Sequence, residues 1–332
     1  MLYSNKAEEG DFAVEVFEHT LTQMLMLFFI VLCGFAARKK KLMNDKFDAY
    51  LSQLVMTITL PAMILNSVLS STDLPSDEDI LMMLGYAALY FTIFCIAAFL
   101  IARVVFRKLN RSTRGAHAFM MVFGNTGFLG FAVLAAVYSP DAVLYGAVFN
   151  IVFNLVLFSL GVFFIAPADG AAKEKRDVRK QLKAIGHTLA KPAMLASYLA
   201  MILALLHITD TGPIGQTCDI LGGMTVPAAM LIIGSSLAKM PLREMLFDGW
   251  SYATAAIRLV AVPLAVYALF GLFVHDAYIL GILVILSGMP VASNGTMLCL
   301  AYSGDTRTMA RGTFLTTVFS LVTLPMLALL VS

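Results

Sequence analysis

The sequence predicts an all-α integral membrane protein. Ten transmembrane helices are expected as two inverted five-helix repeats, with helices 4 and 9 broken and both termini outside. Three observations carry this expectation: a composition too apolar for a soluble chain, ten apolar runs, and an alternation of charge in the connections between them.

Of the 332 residues, 60% are hydrophobic and 13% charged, and the mean hydropathy is +0.85. A soluble domain is nearer half apolar and a quarter charged, because its exterior must stay wet. A bilayer helix needs about 20 apolar residues. Such runs fall at 20–37, 50–69, 80–102, 116–138, 142–166, 192–208, 218–238, 250–274, 277–302 and 308–331. The first 19 residues are mixed and acidic, without the basic and apolar regions of a signal peptide.

The connections set the orientation. Odd-numbered ones hold 21 of the 23 Lys and Arg residues, among them Arg38–Lys41, Arg103–Arg114 and the 167–190 segment. Even-numbered ones, such as Ser71–Asp79 and Thr209–Gly212, hold none. Basic loops stay cytoplasmic, so both termini are expected outside, in a bacterial inner membrane. The expected organisation is an N-terminal tail (1–19), a first repeat (20–166), a cytoplasmic linker (167–190) and a second repeat (191–332).

Short motifs recur between the halves. Thr59-Leu-Pro-Ala62 matches Thr225-Val-Pro-Ala228, Gly124-Asn-Thr-Gly127 loosely matches Ser293-Asn-Gly-Thr296, and Ser139-Pro-Asp141 matches Ser303-Gly-Asp305. With five spans per half, the second copy lies upside down, an arrangement common among secondary transporters.

Spans 4 and 9 carry the helix breakers. Phe123-Gly-Asn-Thr-Gly-Phe-Leu-Gly130 is glycine-rich, and Ser287-Gly-Met-Pro-Val-Ala-Ser-Asn-Gly-Thr296 places Pro290 between glycines. Unwound backbone at membrane depth must line a cavity or be covered by protein. Two half-helix N-termini meeting there would offer amide hydrogens and positive dipole ends to a solute. The alternative is that these glycines serve close helix packing.

Arg258 lies inside span 8, where a charge is costly unless paired, hydrated or able to snorkel. It is read either as snorkelling to the cytoplasmic interface or as a fixed cation for an anionic substrate. No Asp or Glu lies deep in a span, which weakens a carboxylate proton relay, and Asp219 reads as a boundary residue. Asn66, Asn150 and Asn154 read as interhelical glue or ligand contacts. The scattered Cys33, Cys95, Cys218 and Cys299 show no metal-ligand spacing. Enzyme signatures such as His-Glu-x-x-His, Gly-x-Ser-x-Gly and a Walker loop are missing, so no enzymatic activity, cofactor, metal or nucleic-acid partner is expected.

Several of these segments resemble the auxin efflux carrier family: Gly124-Asn-Thr-Gly-Phe-Leu-Gly130, Pro227-Ala-Ala-Met-Leu-Ile-Ile-Gly-Ser-Ser-Leu-Ala238, Ser287-Gly-Met-Pro-Val-Ala292, Leu300-Ala-Tyr-Ser-Gly-Asp305 and Ser320-Leu-Val-Thr-Leu-Pro325. The resemblance covers both halves. It implies the fold shared with bile-acid and sodium symporters, in which spans 1, 2, 6 and 7 form a scaffold and spans 3–5 and 8–10 a mobile unit. It further implies elevator-type transport of a small organic anion such as malonate, malate or an auxin-like acid. By position, the crossover groups are Asn125, Thr126, Gly127, Pro290, Asn294 and Gly295; Arg258 joins them as a candidate substrate contact. Many members carry proline after Gly-Phe-Leu-Gly, where this chain has Phe131-Ala132. The expected partners are the anion, membrane lipid, a coupling proton or sodium, and a second copy docked through the scaffold. A sodium-coupled symporter and a non-transporting solute or lipid sensor are the alternative functions.

Overall fold

The computed structural model describes residues 25–71, 74–138, 141–165, 190–210, 212–239, 248–292 and 294–331, with Thr22 and Gly186. Most of the tail, the linker and the segment 240–247 lie outside these residues, as do the sequence expectations that fall on them. The described chain is α-helical, and its one β-bridge is Gly124 against Val291. In order, the helices are α1 (25–39), α2 (Asp45–Leu69), α3 (Asp77–Val104), α4 (Arg111–Val122), α5 (Thr126–Val137) and α6 (Ala142–Ile165). They continue as α7 (Pro192–Leu205), α8 (Pro213–Lys239), α9 (Gly249–Phe270), α10 (Ala277–Ser287), α11 (Asn294–Ala301) and α12 (Thr306–Val331).

Among the described residues, six helices (α2, α3, α6, α8, α9 and α12) are long and apolar enough to cross a membrane. The chain is thus a multi-pass membrane protein. Helices α5, α7 and α10 are apolar but shorter. Span 4 of the sequence reading is the pair α4 and α5, and span 9 is the pair α10 and α11.

Short polar side chains start the helices. Asn44, Ser76 and Asn110 accept from the amides of Phe47, Asp79 and Thr113 at 2.9–3.1 Å, satisfying donors that have no intrahelical acceptor. Asp276 does the same for Tyr278 and Ile279. Pro192 and Pro213 open α7 and α8, where a missing amide costs nothing. Two π-turns, Val55–Thr59 and Ile257–Ala261, each end two residues before a proline, Pro61 and Pro263. The proline ring crowds the preceding turn and removes one ladder bond, which opens the helix there.

Polar contacts join α1, α2 and α8. The hydroxyls of Thr59 and Thr225, equivalent positions of the sequence repeat, bond to each other at 3.0 Å and are buried. Asn66 Nδ2 donates to Asp219 Oδ1 (3.1 Å), so Asn66 is glue and Asp219 is its exposed boundary partner. Helices α1 and α8 touch through Gly34 and Gly234; a Cβ on either would overlap the backbone of the other helix at Leu231 or Val31. Small residues permit this approach.

Charges close the same three helices at one end. Buried Asp48 accepts from Ser235 Oγ (2.7 Å), Lys239 Nζ (2.9 Å) and Arg38 Nη1 (3.4 Å). Exposed Asp45 takes the second donor of the same cations, each at 2.8 Å. Burial decides which carboxylate matters. Asp48→Ala is expected to cost about 2 kcal/mol, because it removes the buried acceptor shared by Ser235, Lys239 and Arg38. Asp45→Ala is expected to cost much less, since its side chain is 77% exposed and its ion pairs are screened by water. Thermal unfolding of the purified variants in detergent checks the ranking.

Candidate functional site

The two broken spans meet as extended backbone. Phe123 and Asn125 leave helical geometry (φ −97°, ψ 99° and φ −80°, ψ 60°). Asn125 N donates to Pro290 O (2.7 Å), and Ala292 N donates to Phe123 O (3.0 Å). Each break thus satisfies the other's exposed backbone, as a membrane interior requires. Val291 N is taken by Thr316 Oγ1 on α12 (3.0 Å). The break in span 4 lies at Gly124, and the segment Thr126–Gly130 continues as a π-turn; no proline is needed.

Arg258 sits behind this crossing and is 1% exposed. The snorkelling expectation is therefore overturned: the guanidinium turns into the protein instead of running to an interface. Its Nε donates to Met289 O (2.9 Å), and its Nη1 to Val122 O (3.0 Å), Tyr90 Oη (3.1 Å) and Met121 O (3.3 Å). Met121 and Val122 end α4, and Met289 lies just past the end of α10. The cation thus caps the negative ends of two half-helices. Tyr90, Phe91, Phe94 and Phe149 pack edge- and face-on beside it, with centroids 4.7–5.5 Å apart, and keep water away.

Gly124 is the position where the packing demands glycine. A Cβ there would overlap Arg258 Nη2 and come to 3.0 Å from Met289 O.

The crossing also carries the positive half-helix ends, at the starts of α5 and α11. Helix α5 begins at Thr126 without a side-chain cap, so its first amides lack intrahelical acceptors. Asn125 and Gly127 are partly exposed there, and no side-chain hydrogen bond ties Asn125 to a described residue. Thr126 Oγ1 instead donates to Asn150 Oδ1 (3.0 Å), and Asn150 Nδ2 to Gly146 O (2.9 Å). Asn154 Nδ2 reaches Met194 Sδ on α7 (3.2 Å). Pro290 is buried and serves through its carbonyl. Gly295 is buried at the start of α11, where a Cβ would come to 2.8 Å from Phe119. The Asn294 side chain lies outside the described set. Of the expected site residues, Asn125 and Gly127 are open, whereas Thr126, Arg258, Pro290 and Gly295 support the crossing from within.

One turn beyond Asn125 on α5, an apolar cleft opens. Leu129 and Val133 of α5, Leu27, Phe28 and Val31 of α1, Met230 and Ile233 of α8, and Thr317, Ser320, Leu321, Leu324 and Pro325 of α12 line it. Its lining holds no charged residue. The sequence reading missed Tyr90 and Thr316, whose signal is a single polar group in an apolar run.

The family model described as "Membrane transport protein" (Mem_trans) matches residues 19–328. An uncharacterized transporter of Methanocaldococcus jannaschii is 25% identical over 309 residues, 90% of this chain and 94% of the relative. One of Methanothermobacter thermautotrophicus is 23% identical over 94% of this chain and 98% of the relative. The uncharacterized transporter YfdV of Escherichia coli is 24% identical over 86% of this chain and 89% of the relative.

Two substitutions test the geometry. Arg258→Gln is expected to lose about 3 kcal/mol of stability or more, by stranding carbonyls in a dry site. Gly124→Ala is expected to lose about 2 kcal/mol or more through overlap with the same guanidinium. Unfolding midpoints measured beside an exposed control, Asp45→Ala, decide whether these losses are specific to the crossing.

Proposed function

We propose an anion-carrier mechanism for this chain, which belongs to the Mem_trans family of membrane transport proteins, the auxin efflux carrier family. Family membership makes it a transporter of some solute and not an enzyme. The charge of that solute is our reading, and Arg258 carries it. Where two broken helices cross, their positive and negative ends oppose each other at roughly half a charge each. The Arg258 cation lies against the negative ends, so the positive ends at Thr126 and Asn294 are left in excess. A site built this way attracts an anion without a cationic side chain touching it. Arg258 is then a positioning residue, and Asn125 with the free amides of α5 forms the contact surface.

The cleft refines the substrate class. With an apolar, uncharged lining one turn from Asn125, the site favours one carboxylate on an apolar body over malonate or malate. A dicarboxylate would bury a second charge there without a partner.

The distribution of hydrogen bonds supports elevator-type movement in a ten-span, inverted-repeat frame with outward termini. Arg258 binds α9 to α3, α4 and the end of α10, and Thr113 Oγ1 joins α4 to Asp305 ahead of α12 (2.6 Å). Asp48, Thr59 and Asn66 bind α1, α2 and α8. Among the described residues, side-chain links between the two sets include a weak one, Asn154 to Met194 at 3.2 Å, and an exposed one, His207 to Asp77 at 3.7 Å. Apolar surfaces slide past one another at low cost, and two internally bonded bodies move as units. A second copy on the α1–α2–α7–α8 side would leave the mobile unit free.

Counterflow in proteoliposomes tests this reading, with labelled benzoate, phenylacetate and indole-3-acetate beside malonate and succinate. At least one monocarboxylate is expected to accumulate, and Asn125→Ala is expected to reduce that accumulation about tenfold while the protein stays folded. No accumulation of any acid by folded protein would contradict the carrier and leave a binding-only sensor.

A further inference from the structure

On α4, three residues one turn apart each meet a partner from another helix or its leading loop. Thr113 bonds Asp305, His117 Nδ1 lies 2.7 Å from Thr254 Oγ1, and the Met121 carbonyl accepts from Arg258. Thr254 and Arg258 are likewise one turn apart on α9. A polar column therefore runs from Asp305, ahead of α12, to the guanidinium behind the crossing, with His117 in its middle.

His117 is fully buried, and Phe106 stacks on it at 4.4 Å. The Thr254 hydroxyl also reaches Trp250 O (3.2 Å); with its hydrogen placed there, the tautomer we assign has His117 Nδ1 donating to Thr254. Its Nε2 is left as a lone pair, buried and without a hydrogen-bond partner. An orphaned base in a dry site costs free energy, and nothing in the anion site uses it. The charged groups on the surrounding elements are Asp248 and Arg258 (α9 and its lead), Asp305, Arg307 and Arg311 (α12 and its lead), Arg103 (last turn of α3), Arg107 and Lys108 (after α3) and Arg111 and Arg114 on α4 itself. Asp248 and Asp305 are the carboxylates whose field reaches the ring.

We propose that His117 is a proton-binding site that couples proton movement to the carrier cycle. A proton adds to the Nε2 lone pair and leaves from the same atom, and no other bond changes. In the arrangement seen here the resulting N–H has no acceptor, so protonation shifts the population toward an arrangement that supplies water or a carboxylate. All its contacts belong to the unit that carries the crossing, so a proton bound on one side travels with the anion site. The inference rests on the carrier reading.

Two measurements test it. Nitrogen-15 NMR of histidine-labelled protein should show a tautomer with protonated Nδ1 and bare Nε2, absent from His117→Gln, that converts to imidazolium on acidification. A signal showing Nε2 protonated and Nδ1 bare would overturn the assignment. In proteoliposomes, uptake of the acid found by counterflow should rise about fivefold when the outside is taken from about pH 6.5 to about pH 4.5, after subtraction of empty liposomes. That ratio should fall to near one in His117→Gln and survive in Thr254→Val. An unchanged ratio in His117→Gln would overturn the coupling while leaving the carrier standing. Loss of wild-type counterflow for every acid would instead sink the carrier reading, and the coupling with it.

Discussion

The structure depends on one burial: a guanidinium held dry against the carboxyl ends of two half-helices. A cation inside a membrane protein is costly, and at 1% exposure Arg258 has no water to offset that cost. Three backbone carbonyls and the Tyr90 hydroxyl do so instead. Those carbonyls are available only because α4 and α10 stop where they do. The helix breaks and the arginine therefore need each other: the breaks expose acceptors, and the cation satisfies them. Gly124 follows as a consequence, since any side chain there would displace the guanidinium.

From this burial the electrostatics of the open side follow. Aromatic rings surround the cation on its α3 and α6 side, where a low local dielectric lets its charge act further than it would in water. The start of α5, two residues past Gly124, has no side-chain cap. The hydrogen bonds that hold the crossing also hold α3, α4, α9, α10 and α12 together, whereas a separate ionic and hydroxyl network holds α1, α2 and α8. In the proposed elevator reading, a bonded body against an apolar neighbour is what would let the site move intact.

Much of this was legible in the sequence because it rests on local chemistry. Gly124, Pro290 and their neighbours announced the breaks, and the apolar runs announced a multi-pass membrane fold, with six helices among the described residues long and apolar enough to cross. Asn66 and Asn150 announced interhelical bonds. The partners of Arg258 were not legible, because backbone carbonyls carry no sequence signature and become acceptors only once two distant segments cross. Snorkelling was a reasonable expectation from depth along one helix, since it ignores what the neighbouring helices offer. The role of His117 was not legible for the same reason: its partner Thr254 is 137 positions away.

In the proposed reading, the buried charge of Arg258 makes the site select for anions. Competition for wild-type counterflow by phenylacetate and by its uncharged isostere phenylacetamide tests this. The acid is expected to compete at least about tenfold more strongly, the worth of one charge-assisted interaction. Equal competition by the amide would show that the charge at the crossing does not reach the solute, and would contradict it.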